Sequence, residues 1–374
     1  MSGVFVAADN ITSPIGPTTG TNFAQLKKGI SGVKLHTDTA LGNEPFYAAL
    51  FNKDQFTPNN QYTKFEQLLI ASITDALANC EVDATDKKTA LIISTTKGNI
   101  SLLETGENNE ALKKRIALPT SAKLVAAHFG FVNRPVIISN ACISGIMAIL
   151  TGMRLIQSGQ YENVVVAGAD EITKFVLSGF QSFQAISNEP CKPFDADRTG
   201  ITLGEGAATV ILSSNPKYAD GVKVLAGAVS NDANHISAPS RTGEELGFAI
   251  TKTLKQAYVN AHDVDFISAH GTATSYNDEM EAKAIAFAGL QNIPTNSLKG
   301  FYGHTLGAAG LIESIISMQS LKENVVLPTL GFNSMGVSAP LNICTTLLQG
   351  NYTTFMKTAS GFGGCNAAVL FSKT

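Results

Sequence analysis

One cysteine lies where an apolar strand pattern changes to a helical one. The β-branched run at 136–139 stops at Asn140, and from Ser144 apolar residues recur at helical spacing, which places Cys142 in the turn between strand and helix. Unpaired N–H groups and the macrodipole at a helix N-terminus favour a thiolate, which predicts a pKa below the value of about 8.5 of a free thiol. Cys142 is therefore a candidate nucleophile, and the alternative is a small buried apolar residue.

Two histidines and two acidic residues stand near predicted element ends in the second half. His270 follows the apolar run 264–268 and precedes Gly-Thr-Ala-Thr, which favours a functional over a packing role. His304 stands before the small residues that open a predicted helix, and a structural histidine is the alternative there. Asp278 and Glu281 have the spacing of a helix-capping pair, so capping is the alternative to a functional role for both.

A glycine-dense turn precedes the last predicted strand. Residues 360–366 read Ser-Gly-Phe-Gly-Gly-Cys-Asn, with Phe362 between glycines. Glycine tolerates backbone angles that other residues avoid, so backbone N–H groups can approach a ligand here. The alternative is an ordinary turn.

The composition restricts the function classes. With 374 residues, 44% of them hydrophobic and 15% charged, the chain can fill a large core, and its net charge of -3 argues against nucleic acid as a ligand. The five cysteines are scattered without CxxC spacing, which favours reduced thiols over disulfides or a zinc site. Neither a signal peptide nor a membrane-spanning run is evident, so we expect a cytoplasmic protein that does not bind membranes.

Strand and helix patterns alternate along the chain, which predicts an α/β fold with buried, largely parallel sheets. Apolar runs at 4–6 and 224–226 could open two copies of one unit. We predict surface loop at 31–62, a lid or interface excursion at 99–115 and an irregular segment from 168 to 193. Helices are predicted at 64–79, 121–129, 244–259, 278–288 and 306–321.

Motifs spread over nearly the whole chain resemble the β-ketoacyl-[acyl-carrier-protein] synthases of the KAS I/II type. In chain order they are Cys142 in A-C-x-S, the run 193–198 leading into 203–207, Asn234-His235 before Pro239, the H-G-T-x-T run at 270–274, Lys299 five residues before His304, and G-F-G-G-x-N at 361–366. The resemblance implies a thiolase-like, five-layer α-β-α-β-α fold with two similar halves. Residues 1–215 would carry the nucleophile and residues 216–374 the two histidines.

The resemblance also assigns roles to the motif residues. Cys142 would take an acyl group from a carrier-protein thioester, with the N–H groups of Cys142 and Phe362 holding the oxyanion. His270 and His304 would donate hydrogen bonds to the malonyl thioester carbonyl, so that loss of CO2 leaves an enolate that attacks the acyl group. Lys299 would support them.

Further roles follow from the same resemblance. Asp278 and Glu281 would organise the surroundings of Lys299, and the Phe362 ring would gate entry of the second substrate. No cofactor and no metal is expected.

The resemblance further implies acyl carrier protein as the partner and a homodimer, with a heterodimer with a related synthase as a possibility. Lys113, Lys114 and Arg115 form a candidate cationic patch for the acidic carrier, and a solvated helix face is the alternative. Ser139-Asn140 and Ser360 depart from the family pattern, which suggests a specialised pathway such as polyene or pigment assembly. A non-catalytic subunit that sets chain length in a heterodimeric synthase is the alternative function, although such subunits usually lack the nucleophile.

Overall fold

The structure is a computed structural model that describes residues 3–37, 40–42, 44–59, 61–233 and 239–374. Asn234 and His235, which belong to one of the motifs, lie outside the described residues. The strands are β1 (Val4–Thr12), β2 (Lys34–His36), β3 (Phe46–Ala49), β4 (Thr89–Ser94), β5 (Val136–Ile138), β6 (Asn163–Asp170), β7 (Leu203–Gly204), β8 (Gly206–Ser213), β9 (Val222–Asn231), β10 (Phe266–Ser268), β11 (Thr295–Asn296), β12 (Val325–Val326), β13 (Leu348–Gln349), β14 (Thr354–Gly361) and β15 (Cys365–Lys373).

The α-helices are α1 (Thr19–Lys27), α2 (Lys64–Ala78), α3 (Glu110–Ile116), α4 (Leu118–His128), α5 (Ser144–Gln157), α6 (Lys174–Ser182), α7 (Glu244–Ala257), α8 (Ser275–Phe287), α9 (Lys299–Tyr302) and α10 (Ala309–Glu323). Short 3₁₀ helices lie at Ile100–Glu104, Pro216–Tyr218, Ala261–Asp263 and Leu306–Ala308. Within the described ranges, no helix combines the length and apolar character needed to cross a bilayer.

Among the described residues, ten strands form one sheet whose two halves have the same topology. From the centre outwards the strands of one half are β1, β8, β6, β4 and β5, and those of the other are β9, β15, β14, β10 and β11. The five strands of each half can be numbered by their order along the chain. In both halves their order from the centre outwards is then first, fifth, fourth, second and third. In both halves the two inner pairings are antiparallel and the two outer pairings are parallel. The prediction of two similar halves is confirmed.

The prediction of largely parallel sheets is wrong, because the fifth strand of each half inserts antiparallel between the first and the fourth. A continuous apolar run indicates that a strand is buried on both faces. It does not indicate whether the strand runs parallel or antiparallel to its neighbours. The proposed domain division at residues 215 and 216 falls between β8 and β9 and stays a prediction.

Helices and sheet halves alternate in five layers, as the resemblance implied. Helices α2 and α4 cover one half, α7 and α8 cover the other, and α5 and α10 lie between the two halves. The central helices touch through glycines: a Cβ on Gly145 would lie 2.8 Å from the Leu311 nitrogen, and one on Gly310 would lie 2.9 Å from the Ile146 nitrogen. Glycine therefore allows the N-terminal ends of α5 and α10 to pack closely, and Cys142 and His304 stand just before those ends.

Several local predictions are wrong for a common reason. The predicted loop at 31–62 contains β2 and β3, which form a small sheet with β7, and the segment predicted as irregular contains α6. These elements are short, and each buries only a few apolar side chains, such as Phe46 and Val176, so the sequence shows little periodicity. The longer predicted helices are confirmed to within a few residues.

Candidate active site

The cysteine and the two histidines singled out in the sequence meet in one pocket. The Cys142 sulfur and a ring nitrogen from each of His270 and His304 all lie within 4.8 Å of one another. The three side chains are buried and line a pocket of about 330 Å³. The spatial convergence expected from the motifs is therefore present, although Cys142 and the histidines come from different halves of the fold.

A tight turn holds Cys142 just ahead of α5. Ala141 has a φ of +44°, and the Ser144 hydroxyl accepts a hydrogen bond from the Asn140 N–H and donates one to the Ala141 carbonyl. Non-glycine residues rarely adopt such a φ, so the hydroxyl bonds help to hold the turn in a conformation that the backbone alone disfavours.

The electrostatic surroundings of Cys142 differ from the expectation. Burial, followed by the proximity of Cys365, raises the pKa of the Cys142 thiol to about 12. The prediction of a lowered pKa is wrong, because burial disfavours the charged thiolate. Cys142 is therefore a neutral thiol at pH 7, and its proton has to leave when the sulfur attacks.

Lys299 fixes the tautomer of His270. Its Nζ lies 2.7 Å from the carbonyl oxygen of His270 and 3.3 Å from Nδ1 of the same residue. An ammonium group can only donate, so Nδ1 accepts and the imidazole proton resides on Nε2. Burial, and then the charge of Lys299, lowers the pKa of His270 well below its usual range, so the ring is neutral and presents an Nε2–H donor.

His304 is held by its backbone, while its ring is left unpaired. The His304 N–H donates to the Thr202 carbonyl at 2.6 Å, and its carbonyl accepts from the Gly204 N–H at 3.0 Å. Among the described residues, neither ring nitrogen of this buried histidine has a hydrogen-bond partner. Buried polar groups in proteins are normally paired, so both nitrogens are available to a bound molecule. Burial and Lys299 lower the pKa of His304 as well.

Asp278 and Glu281 shape the loop that carries His270. Glu281 accepts from the N–H groups of His270 and Gly271 at 2.8 and 2.7 Å, and Asp278 accepts from the Thr272 N–H at 2.8 Å. Both acidic residues lie inside α8, whose cap position is Thr274, so the capping interpretation is wrong.

The supporting role of the two acidic residues takes a different form from the one expected. They bind the backbone of the histidine loop, and the carboxylate that contacts Lys299 is Glu313, 2.7 Å from Nζ. Burial raises the pKa of Asp278 to about 6.

Sequence reasoning missed Glu313 and Lys357. Glu313 lies in the buried helix α10, and its second carboxylate oxygen is 2.7 Å from Nζ of Lys357 in β14. Both side chains are buried beneath the histidines. The available signal was a single charge inside an otherwise apolar run, because such a charge is rarely buried without a partner.

Phe362 lies at the mouth of the pocket. Its side chain is 39% exposed, and its ring centroid lies 5.7 Å from that of Phe180 and 5.4 Å from that of Phe183. A Cβ on the preceding Gly361 would come within 3.0 Å of the Cys142 nitrogen. Glycine therefore leaves space in front of the Cys142 N–H, on the side of the turn that carries Phe362.

The same three side chains could also hold a metal ion. Within the part of the chain that the structure describes, Cys142, His270 and His304 are the only group of three potential ligands close enough to share one. One sulfur and two imidazoles suit zinc, which would compete with any reaction at the cysteine.

Two family models cover most of the chain. The model described as Beta-ketoacyl synthase, N-terminal domain matches residues 4–217, and the model described as Beta-ketoacyl synthase, C-terminal domain matches residues 222–333. The chain belongs to the beta-ketoacyl synthase family. The family resemblance inferred from the sequence motifs is therefore confirmed.

Relatives of this synthase-family chain match it along their whole length. It is 29% identical to the 3-oxoacyl-[acyl-carrier-protein] synthase 2 of Vibrio cholerae, with 99% of both chains covered. It is 28% identical to the protein of the same name from Rhizobium meliloti, with 100% of this chain and 99% of the relative covered. The solved structure of the ishigamide ketosynthase/chain length factor has the same fold, with a TM-score of 0.89, 24% identity and coverage of 100% and 99%.

Proposed function

We propose that the chain is a 3-oxoacyl-[acyl-carrier-protein] synthase. It condenses malonyl-carrier protein, with loss of CO2, with an acyl group held as a thioester on Cys142. The observation that carries the proposal is the meeting of one thiol and two neutral imidazoles in a single pocket. The synthases of Vibrio cholerae and Rhizobium meliloti, which match the chain end to end, support the same activity.

In the first half-reaction the Cys142 sulfur attacks the acyl thioester of the carrier. Because the thiol is neutral at rest, its proton passes to an imidazole. The unprotonated ring nitrogen of His304, which has no partner among the described residues, can accept it. The carbon–sulfur bond to the carrier breaks, and the departing thiolate takes up that proton. The N–H groups of Cys142 and Phe362 hold the oxyanion, at about 3 kcal/mol per donor.

In the second half-reaction the malonyl thioester carbonyl accepts hydrogen bonds from the two imidazoles. Nε2–H of His270 is one donor, since Lys299 occupies Nδ1. The bond between the malonyl α-carbon and its carboxylate breaks, CO2 leaves, and the electron pair becomes an enolate that these donors stabilise. The enolate carbon attacks the acyl group, and the sulfur of Cys142 leaves as a thiolate, which takes up a proton from water to restore the neutral thiol. No general base is required, because loss of CO2 supplies the electron pair.

Phe362 gates the second substrate in this scheme. Its half-exposed ring packs on Phe180 and Phe183 at the pocket mouth, where a rotation would open or close access to the sulfur. The flanking residues Gly361 and Gly363 leave the backbone around the ring without side chains.

The proposed assembly is a homodimer built on strand β5. This strand is the outer edge of the ten-stranded sheet, its apolar residues are only half-buried, and it leads through exposed Ser139 and Asn140 to Cys142. An apolar edge strand invites pairing with another chain, and a second copy would cover it. The ishigamide ketosynthase is described together with a chain length factor, so a related partner chain is the second form of assembly we propose.

The candidate carrier-binding patch at 113–115 has one residue that is not free to bind a partner. Arg115 forms two hydrogen bonds with buried Glu66, at 2.5 and 2.6 Å, and Lys113 pairs with Glu110. Arg115 is therefore committed to the core, and of the three charges only the exposed Lys113 and Lys114 could face a carrier protein.

The decisive experiment uses the purified chain alone with acyl- and malonyl-carrier protein. We expect acyl-enzyme by mass spectrometry, CO2 release and a 3-oxoacyl product. Cys142→Ala should abolish acylation and retain the fold, and Cys344→Ala, a buried cysteine that does not line the pocket, is the matched control. Acylation of another cysteine would overturn the assignment. Absence of both CO2 and product would favour the non-catalytic, chain-length-determining subunit.

A further inference from the structure

A second buried lysine lies beneath the histidine pair and has no part in the chemistry above. The Lys357 side chain in β14 is fully buried. Its Nζ donates to the carbonyl oxygens of Ser268 at 3.1 Å and Ala269 at 3.0 Å, and it forms a 2.7 Å ion pair with Glu313. One ammonium group is thus surrounded by two backbone carbonyls and a carboxylate, which is the kind of oxygen cage that also binds a small cation.

The two buried lysines share the work of holding the segment that leads to His270. Lys357 binds the carbonyls of residues 268 and 269, and Lys299 binds the carbonyl of residue 270. Three successive carbonyl groups therefore point at two ammonium groups, and Glu313 bridges the two lysines through its separate oxygens. Orientation of these peptide groups fixes the direction in which the His270 side chain leaves the backbone.

We propose that Lys357 is a resident cation, which balances Glu313 and positions His270 in place of a bound monovalent ion. It is a positioning residue, because it touches neither the pocket nor the sulfur. Its effect on catalysis rests on the function proposed above, whereas the cation cage itself does not. The titratable and charged groups around His270 are Lys299, Lys357, Glu281, Glu313, His304 and Cys142.

The first test compares Lys357→Ala, which leaves an oxygen-lined hole, with Lys357→Met, which fills the hole without a charge. Thermal unfolding of both variants and of the unchanged chain is followed in chloride salts of potassium, ammonium and tetramethylammonium at equal ionic strength. We expect potassium or ammonium to raise the unfolding temperature of Lys357→Ala in a saturable way and to leave the other two proteins unaffected. Tetramethylammonium should have no such effect, because it is too large for the cage. An equal response of all three proteins would overturn the proposal.

The second test measures malonyl-carrier protein decarboxylation in the same proteins. Without potassium or ammonium we expect Lys357→Ala to lose about tenfold to a hundredfold in rate, the effect of a displaced catalytic group. Either cation should restore the rate of Lys357→Ala but not that of Lys357→Met. If Lys357→Ala matched the rate of the unchanged chain without either cation, the proposal would be contradicted. If the unchanged chain releases no CO2, the proposed function fails, and the unfolding measurement still decides the cation cage.

A third measurement serves if Lys357→Ala does not fold. In Lys357→Met a positive charge is lost near both imidazoles, so the pKa values of His270 and His304 should rise, as followed by NMR of ¹³C-labelled histidine. Unchanged values in that variant would overturn the proposal.

Discussion

Lys299 and His270 are joined twice, through the carbonyl oxygen and through the ring nitrogen Nδ1 of the histidine. The first contact places the histidine backbone, and the second sets its tautomer and its charge. Burial, reinforced by the charge of this ammonium, lowers the pKa of both His270 and His304. Both imidazoles are therefore neutral in a pocket where a neutral acceptor and a neutral donor are required.

Lys299→Met should move the acidic limb of acyl transfer to higher pH. The substitution keeps most of the side-chain volume and removes a positive charge, so the pKa of His304 rises and the imidazole becomes protonated at a higher pH. A protonated His304 cannot accept the Cys142 proton. The pH–rate profile of Cys142 acylation measures this shift, and Lys255→Met on the exposed face of α7 is the control. If the acidic limb of the profile stayed at the same pH, the role of Lys299 would be structural only.

His304→Asn should make stability less sensitive to acid. The histidine pKa is about 6.5 in the unfolded chain and well below that in the folded one, so the unfolded state binds more protons below pH 6.5 and stability falls as pH falls. Removing this group should reduce the slope of the unfolding free energy against pH by about 1 kcal/mol per pH unit between pH 6 and 5. Urea unfolding at several pH values measures the slope.

Buried carboxyl groups, Asp278 and Glu171 among them, act in the opposite direction and are common to both proteins. Burial raises the pKa of Asp278 to about 6 and that of Glu171 to about 7, so they favour the folded state as pH falls. The comparison between variant and unchanged chain removes their contribution. His262→Asn, at a histidine whose side chain is 80% exposed, is the control, and an equal change in both variants would contradict the assignment.

The sequence predicted the elements that carry the site better than the interactions inside it. The change from strand to helix around Cys142 is a local pattern, and the structure has β5 and α5 there. The meeting of Cys142 with the two histidines followed only from the resemblance, because no local pattern links segments more than a hundred residues apart. The small residues after His304 open a helix as predicted, and one of them, Gly310, also lets that helix pack closely against α5.

The charges and pKa values of the site could not be predicted in the same way. The raised pKa of Cys142 depends on burial by segments from both halves, and the pairing of Glu313 with Lys299 and Lys357 joins α10, α9 and β14. Asp278 has capping spacing, yet it lies one turn too far into α8, because the helix begins at Ser275. Local spacing cannot place a helix start to better than a few residues.

Gly361→Ala should slow acylation of Cys142 by about a hundredfold, the loss expected when an oxyanion donor is obstructed. The new Cβ would lie 3.0 Å from the Cys142 nitrogen and from the Cys365 sulfur, in the space where the oxyanion would sit. Acyl-enzyme formation followed by mass spectrometry measures the rate. Gly20→Ala in α1 is the matched control, because its Cβ would meet no atom within 4 Å. Equal rates in the two variants would remove the Cys142 N–H from the mechanism.

Arg115→Met should destabilise the fold by about 3 kcal/mol without a specific effect on the carrier protein. Burial alone would raise the pKa of Glu66, yet hydrogen bonds from Arg115 and its neighbours hold it at about 2, so the carboxylate is charged at neutral pH. Removing the guanidinium leaves that charge buried with fewer partners, which is costly. Lys113→Met should change stability by less than about 0.5 kcal/mol, because its pair with Glu110 is solvent-exposed.

Urea unfolding at pH 7 separates the two variants, and the KM for acyl-carrier protein tests the surface role. If Arg115→Met instead raised the KM and left the unfolding free energy unchanged, Arg115 would be a carrier-binding residue and its pairing with Glu66 would be dispensable. A raised KM in Lys113→Met with unchanged stability would restore α3 as part of the carrier surface, through its exposed lysines alone.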